Sequence, residues 1–123
     1  MSQPTFKYKK FYDAQIEFLA QKDAKGLITT NYTEDAELLS FQNHITGRAN
    51  LITYFTGYIA NLGYIKLIST DQYAEGDNSL MFEATVETAG GIARVYDSWF
   101  LRDGKIAKHF TGLLGFTPNP PKA

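Results

Sequence analysis

Apolar and polar side chains alternate from Leu80 to Leu101, the pattern of two strands that each bury one side. Leu80, Phe82, Ala84 and Val86 fall on the same face as Ala93, Val95, Asp97, Trp99 and Leu101. Met81, Glu83, Thr85 and Glu87 fall with Arg94, Tyr96, Ser98, Phe100 and Arg102 on the other. Gly90-Gly91 predicts the turn between these strands and Asp103-Gly104 the next, since each pair offers the positive φ of a two-residue hairpin loop. With that first turn, Val86 faces Val95, Ala84 faces Asp97 and Phe82 faces Trp99. Asp97 is then the one acid on an otherwise apolar face. A carboxylate there loses several kcal/mol of hydration unless something satisfies it, so it has a partner or stays protonated.

Helical spacing governs the amino-terminal part. From Pro4 or Thr5 to about Lys22, the residues Tyr8, Phe11, Tyr12, Gln15, Phe18 and Leu19 form one stripe, with charges opposite. Gln15 interrupts that stripe, and an amide in such a place must find a hydrogen bond inside the fold or point into a wet cavity. Asp23 caps a short second helix to about Tyr32. Ala36 to Phe41 reads as a strand following a Thr33-Glu34-Asp35 connection, and Gln42-Asn43-His44 as polar loop. Gly47 precedes a third helix, Arg48 to Asn61, with Leu51, Phe55, Tyr58 and Leu62 inward and Gly63 as its stop. Tyr64 to Ala74 is a long strand turned by Glu75-Gly76-Asp77-Asn78. Lys105 to Leu114 closes the sheet, and 117–123 has the composition of an uncovered tail.

Composition narrows the chemistry. The 123 residues suit one domain able to bury its own core. No cysteine is present, which removes disulfides, thiolate metal sites and a cysteine nucleophile. With 12 basic and 13 acidic residues there is no electrostatic footprint for nucleic acid or an anionic membrane. No signal-peptide core or membrane-length apolar run occurs, so the expectation is a soluble, cytoplasmic protein. The 8 Tyr, 9 Phe and single Trp exceed the needs of a small core, and aromatics wall ligand cavities as readily as they fill cores. Two histidines among scattered carboxylates do not make a metal site by spacing, and no phosphate-binding glycine pattern or nucleophile motif occurs. The expectation is no metal and no cofactor.

Three stretches carry a family likeness: Tyr32-Thr33-Glu34-Asp35-Ala36, Ile45-Thr46-Gly47-Arg48, and Asp97 to Ile106 across the last hairpin. With the element order they resemble the nuclear transport factor 2-like superfamily, which includes ketosteroid isomerase and the SnoaL-like polyketide cyclases. The resemblance implies an α+β fold spanning residues 1–123. Its cone-shaped, curved, mixed sheet wraps a long amino-terminal helix, with three helices in all, a cystatin-like α+β barrel. It also implies a pocket between sheet and helices and a homodimer through the outer sheet face, where Met81, Tyr96 and Phe100 would otherwise meet solvent.

Asp97 matches the strand position at which ketosteroid isomerase places a protonated acid that donates to the oxyanion, an example the physics of tuned carboxyls makes familiar. The isomerase's proton-transferring aspartate falls near Ser40, and its oxyanion-binding tyrosine near Gln15 or Ile16, so two of three working positions are altered. Asp97 is the leading candidate for chemistry, against the alternative of a structural acid bonded to Gln15, a tyrosine or a backbone amide. His109 is its candidate partner. Counted across Asp103-Gly104, His109 faces Ser98 on the outer side; a bulge reverses this, and likeness to the isomerase favours the inner side. Gln15, Tyr12, Ser40, Tyr58, Phe82, Val95 and Trp99 are the candidate ligand-binding residues. Two functions follow: a pocket protein for a small apolar molecule bearing a carbonyl-like group, or an isomerase- or cyclase-like enzyme moving a proton through Asp97 and His109. Carotenoid-binding domains of the superfamily, whose sequence the run Phe41 to Arg48 is similar to, offer a precedent for the first.

Overall fold

The computed structural model describes residues 6–120, so the expected helix start at Pro4 or Thr5 lies outside the described residues. Three helices, α1 (Lys9–Ala20), α2 (Ala24–Asn31) and α3 (Arg48–Leu62), pack on a six-stranded sheet. Its strands are β1 (Tyr32–Leu39), β2 (His44–Thr46), β3 (Lys66–Glu75), β4 (Ser79–Thr88), β5 (Gly91–Arg102) and β6 (Lys105–Pro118). The spatial order is β2-β1-β6-β5-β4-β3, with β1 and β6 parallel and every other pair antiparallel. The α+β class and the curved mixed sheet agree with expectation; the sheet bends into a cone without closing, its edges being β2 and β3.

Local chemistry explains the helix ends. The Glu75 carboxylate accepts the backbone amides of Lys7 and Tyr8, both at 2.9 Å, and the helix begins at the next residue. Lys22 adopts a left-handed φ of 61° that stops α1, and Asp23 Oδ1 then accepts the Gly26 amide at 2.9 Å to start α2. Gly47 (φ 86°) and Gly63 (φ 79°) bracket α3 in conformations that few other residues adopt. Along α3, Leu51, Phe55 and Ile59 are buried at the spacing of one helix face.

Three strand expectations need correction. β1 begins at Tyr32, so Thr33-Glu34-Asp35 lies within it; the register with β6 jumps from Tyr32↔Ile106 to Glu37↔Lys108, which leaves those residues without a β6 partner. Asp35 instead takes the Arg102 guanidinium and the Thr33 hydroxyl, which hold its carboxyl below the usual aspartate range. His44 belongs to β2, not to a loop, and bonds Glu37 at 2.6 Å on the exposed side. β6 runs to Pro118 rather than Leu114, and the amide of Asn119 donates to Gly90 O, so the first part of the expected free tail is tied down.

That tail also shifts the first hairpin. Thr88 pairs with Gly91, so Ala89-Gly90 is the loop and the pairs are Val86↔Ala93, Ala84↔Val95, Phe82↔Asp97 and Leu80↔Trp99. Gly91 serves close approach instead of the turn, because a side chain there would run into Thr117 O and Pro118 Cα. The displacement is two residues, a whole strand period, so every side chain keeps its expected face. Leu80, Phe82, Ala84, Val86, Ala93, Trp99 and Leu101 are all buried against the helices.

The second hairpin decides where His109 goes. Arg102↔Lys105 and Leu101↔Ile106 follow the simple count, but Phe100 pairs with Lys108, so Ala107 is an extra residue that reverses the alternation beyond it. Ile106 and Ala107 are both buried, which gives the bulge its reason. His109 therefore lies opposite Trp99 on the inner face and is 4% exposed.

Candidate functional site

The inner face of β4, β5 and β6 meets α1 and α3 around a hollow of about 80 Å³. Phe82, Ala84 and Val86 floor it from β4, and Val95, Asp97 and Trp99 from β5. His109 and Thr111 enter from β6, Gln15, Ile16 and Leu19 from α1, and Tyr54, Phe55 and Tyr58 from α3. The wall is mostly hydrocarbon and aromatic ring, with Asp97, His109, Gln15 and Thr111 among its few polar members.

Asp97 does not stand alone there. Its Oδ1 lies 2.6 Å from His109 Nε2, and their side chains are 14% and 5% exposed. His109 Nδ1 lies 2.8 Å from the Tyr32 hydroxyl, that oxygen receives Gln15 Nε2 at 3.0 Å, and Gln15 Oε1 receives Asn31 Nδ2 at 3.2 Å. Five side chains from α1, α2, β1, β5 and β6 thus form one hydrogen-bonded line. Gln15, Asn31, Tyr32 and His109 are each less than 5% exposed, and every link satisfies a group whose burial would otherwise cost free energy. Burial pushes the Tyr32 phenol far above its ordinary range, so it keeps its proton. Arg48 donates to the backbone carbonyl of Tyr32 at 2.8 and 3.2 Å and fixes the residue's backbone at the irregular start of β1.

Rings enclose this line. Tyr32, Phe55 and Trp99 lie 6.0, 6.3 and 5.9 Å from the His109 ring, centroid to centroid. Tyr54 and Tyr58, one helical turn apart on α3, stack at 6.0 Å, and neither hydroxyl has a protein partner among the described residues. Burial first, then the charge of Asp97, pushes both phenols up, which places them within electrostatic reach of the carboxylate. The same two tyrosines, with Val95 and Thr111, also wall a more open outer recess of about 230 Å³.

Among the expected site residues, Asp97, His109, Gln15, Tyr58, Phe82, Val95 and Trp99 converge on the hollow. Tyr12 and Ser40 do not. Tyr12 is fully buried with its hydroxyl 2.6 Å from Thr70 Oγ1, so it braces α1 against β3. Ser40 borders the outer recess, its Oγ accepting the amides of Gln42 and Asn43 in the β1–β2 turn. Tyr54, which the sequence offers beside Tyr12 and Tyr58 as a hydroxyl for a ligand, lines the hollow too, and Tyr32, Asn31 and Thr111 complete the site without having been expected there. No three His, Asp or Glu side chains cluster in a way that could hold a metal ion among the described residues. Nor is any helix of the described residues long and apolar enough to cross a membrane.

Residues 10–109 match the family model of the SnoaL-like domain, and the chain belongs to that family, within the nuclear transport factor 2-like superfamily. A nuclear transport factor 2-like protein from Anabaena variabilis superposes with a TM-score of 0.73 at 20% identity, over 94% of this chain and 95% of that one. Another, of unknown function, from Burkholderia xenovorans gives 0.71 at 18% identity over 94% and 85%. TerC, crystallised with polyporic acid, gives 0.70 at 17% identity over 85% and 88%. At these identities the likeness establishes the fold. No curated protein matches the chain.

Proposed function

We propose that this chain binds a small, largely apolar molecule with one polar group, which sits in the hollow with that group against Asp97. The observation that carries this reading is an apolar cavity lined by an Asp97–His109 pair, in which the second carboxylate oxygen has no hydrogen-bond partner among the described residues. TerC, a protein of similar fold, was co-crystallised with polyporic acid, which supports a small-molecule reading. At about 80 Å³ the hollow is well below the roughly 300–1,000 Å³ of common ligand pockets, which favours a small guest, and Tyr54 and Tyr58 separate it from the outer recess that they also wall.

Trp99 is the only tryptophan and part of the wall, which makes its fluorescence a report on this site. Titrating the protein with a panel of small phenols, enols and ketones is expected to change that emission saturably for at least one class. Asp97→Asn is expected to weaken the binding by about tenfold, the value of one charge-assisted hydrogen bond, while leaving the fold intact. A panel that never perturbs Trp99, or an Asp97→Asn variant that binds as the parent does, would sink the reading.

A second reading, proton transfer on the bound molecule in the manner of an isomerase or cyclase, draws support from the 2.6 Å contact between carboxylate and imidazole. It predicts that a bound ketone exchanges its α-hydrogen for deuterium in heavy water faster with the parent than with Asp97→Asn. Binding without any acceleration would leave a carrier and exclude turnover.

The outer face supports a homodimer. Leu39, Phe110, Ser98 and Met81 form one row across β1, β6, β5 and β4, with Phe100 beside it, and the four large residues are 41–58% exposed. Sedimentation velocity should give a dimer that Phe100→Lys converts to monomer. A monomer at every concentration of the parent would overturn this.

A further inference from the structure

The hydrogen-bonded line behind Asp97 has a direction, and the direction follows from which atoms can donate. Gln15 Oε1 takes a hydrogen from Asn31 Nδ2, so the end of Gln15 that faces Tyr32 is its NH₂, and it donates to the phenol oxygen. Tyr32 then has its own hydrogen to place, and the remaining neighbour is His109 Nδ1. Nδ1 must be bare to accept it, which puts the ring hydrogen of a neutral His109 on Nε2, where it donates to Asp97 Oδ1. Four successive donors point the same way, and the last acceptor is the carboxyl at the hollow. Neighbouring bonds in such a line polarise one another and strengthen the terminal N–H to oxygen contact.

We infer that Asn31, Gln15 and Tyr32 are positioning residues that lock His109 in its Nε2–H form and thereby present Asp97 to the hollow as a hydrogen-bond acceptor, so that the ligand class is a small molecule bearing an acidic O–H or N–H, such as a phenol or enol, in preference to one bearing a bare carbonyl. The ligand half of this inference rests on the pocket reading above; the tautomer half stands on the free protein. It reverses the role implied by likeness to ketosteroid isomerase, in which the equivalent acid donates. Tyr54 and Tyr58 complement it, because their phenols, without a protein partner among the described residues, can donate to the ligand oxygen once its own hydrogen has turned to Asp97.

The test has two arms. In the free protein labelled with ¹⁵N-histidine, long-range proton–nitrogen correlation of His109 at neutral pH should show a protonated Nε2 and a bare Nδ1. Tyr32→Phe should lose that pattern and give a mixed or fully protonated ring. Gln15→Glu, which keeps the shape and replaces the NH₂ donor with an oxygen, should disturb it without removing Tyr32. A parent His109 protonated at Nδ1, or a pattern indifferent to Tyr32→Phe, overturns the inference whatever the ligand is. In the second arm, phenol and its methyl ether anisole are titrated against Trp99 emission. The parent should favour phenol at least tenfold, and Tyr32→Phe should shrink that preference at least threefold while anisole binding stays where it was. Equal affinity for the two probes overturns the ligand class. Binding of neither, alongside the expected tautomer, refutes the pocket reading and leaves the positioning role standing.

Discussion

Replacing His109 with leucine is expected to lower the free energy of unfolding by about 3 kcal/mol, read from urea denaturation at neutral pH. Leucine fills much of the imidazole's volume among Tyr32, Phe55 and Trp99, so packing contributes little to the loss. The cost comes from what is stranded. The Tyr32 hydroxyl loses its acceptor in a fully buried place, and Asp97 loses the donor that accompanies its carboxyl at 2.6 Å. If that account is right, the loss is repaired by removing the stranded groups rather than by restoring the ring. His109→Leu combined with Tyr32→Phe and Asp97→Leu should regain part of it, since the Gln15 NH₂ is then stranded in place of a hydroxyl and a carboxylate. A single variant within about 0.5 kcal/mol of the parent, or a triple variant that adds the three losses, would show that the line carries no coupled energy.

The inner face of the hairpin was legible because alternation is insensitive to a shift of two, and the observed loop differs from the expected one by that amount. Asp97 pointing inward therefore followed from its neighbours alone. The reason for the shift was out of reach: Gly91 is required by Thr117 and Pro118, residues far along the chain that the fold returns to it. His109 posed the opposite problem. One additional residue, Ala107, decides its face, and nothing in Lys105-Ile106-Ala107-Lys108 distinguishes a bulge from a regular strand.

Gln15 announced a need for partners without identifying them. An amide inside an apolar helical stripe demands partners, and it has two, Tyr32 and Asn31. Both sit at the α2–β1 junction, where a tyrosine and an asparagine look like packing and a helix end. Only the tertiary fold lays that junction against α1. Tyr54 shows the same limit, since an aromatic on a helix flank can pack or line a cavity, and the curvature of the facing sheet decides which.

Curvature also sets what Trp99 does, and its removal is expected to have the largest effect of any single change to the site. Trp99 is 2% exposed and meets Phe11, Phe82 and His109 edge to face at 5.7, 5.2 and 5.9 Å. Trp99→Ala should cost about 3–5 kcal/mol, the range for deleting a large aromatic from a core that cannot collapse onto the gap. For a chain of this length that is a fall in Tm of more than about 10 °C. Trp99→Phe should cost less than half as much, because phenylalanine keeps much of the contact and eliminates a buried indole N–H that has no partner among the described residues. The alanine variant also enlarges a hollow that already exists, so an apolar guest should bind it and restore stability by mass action. Benzene at millimolar concentration is expected to raise the Tm of Trp99→Ala by several degrees and that of the parent much less. A truncation that costs under about 1 kcal/mol, or one that benzene leaves unchanged, would mean that the sheet closes over the vacated space and that the hollow is not held open by the cone.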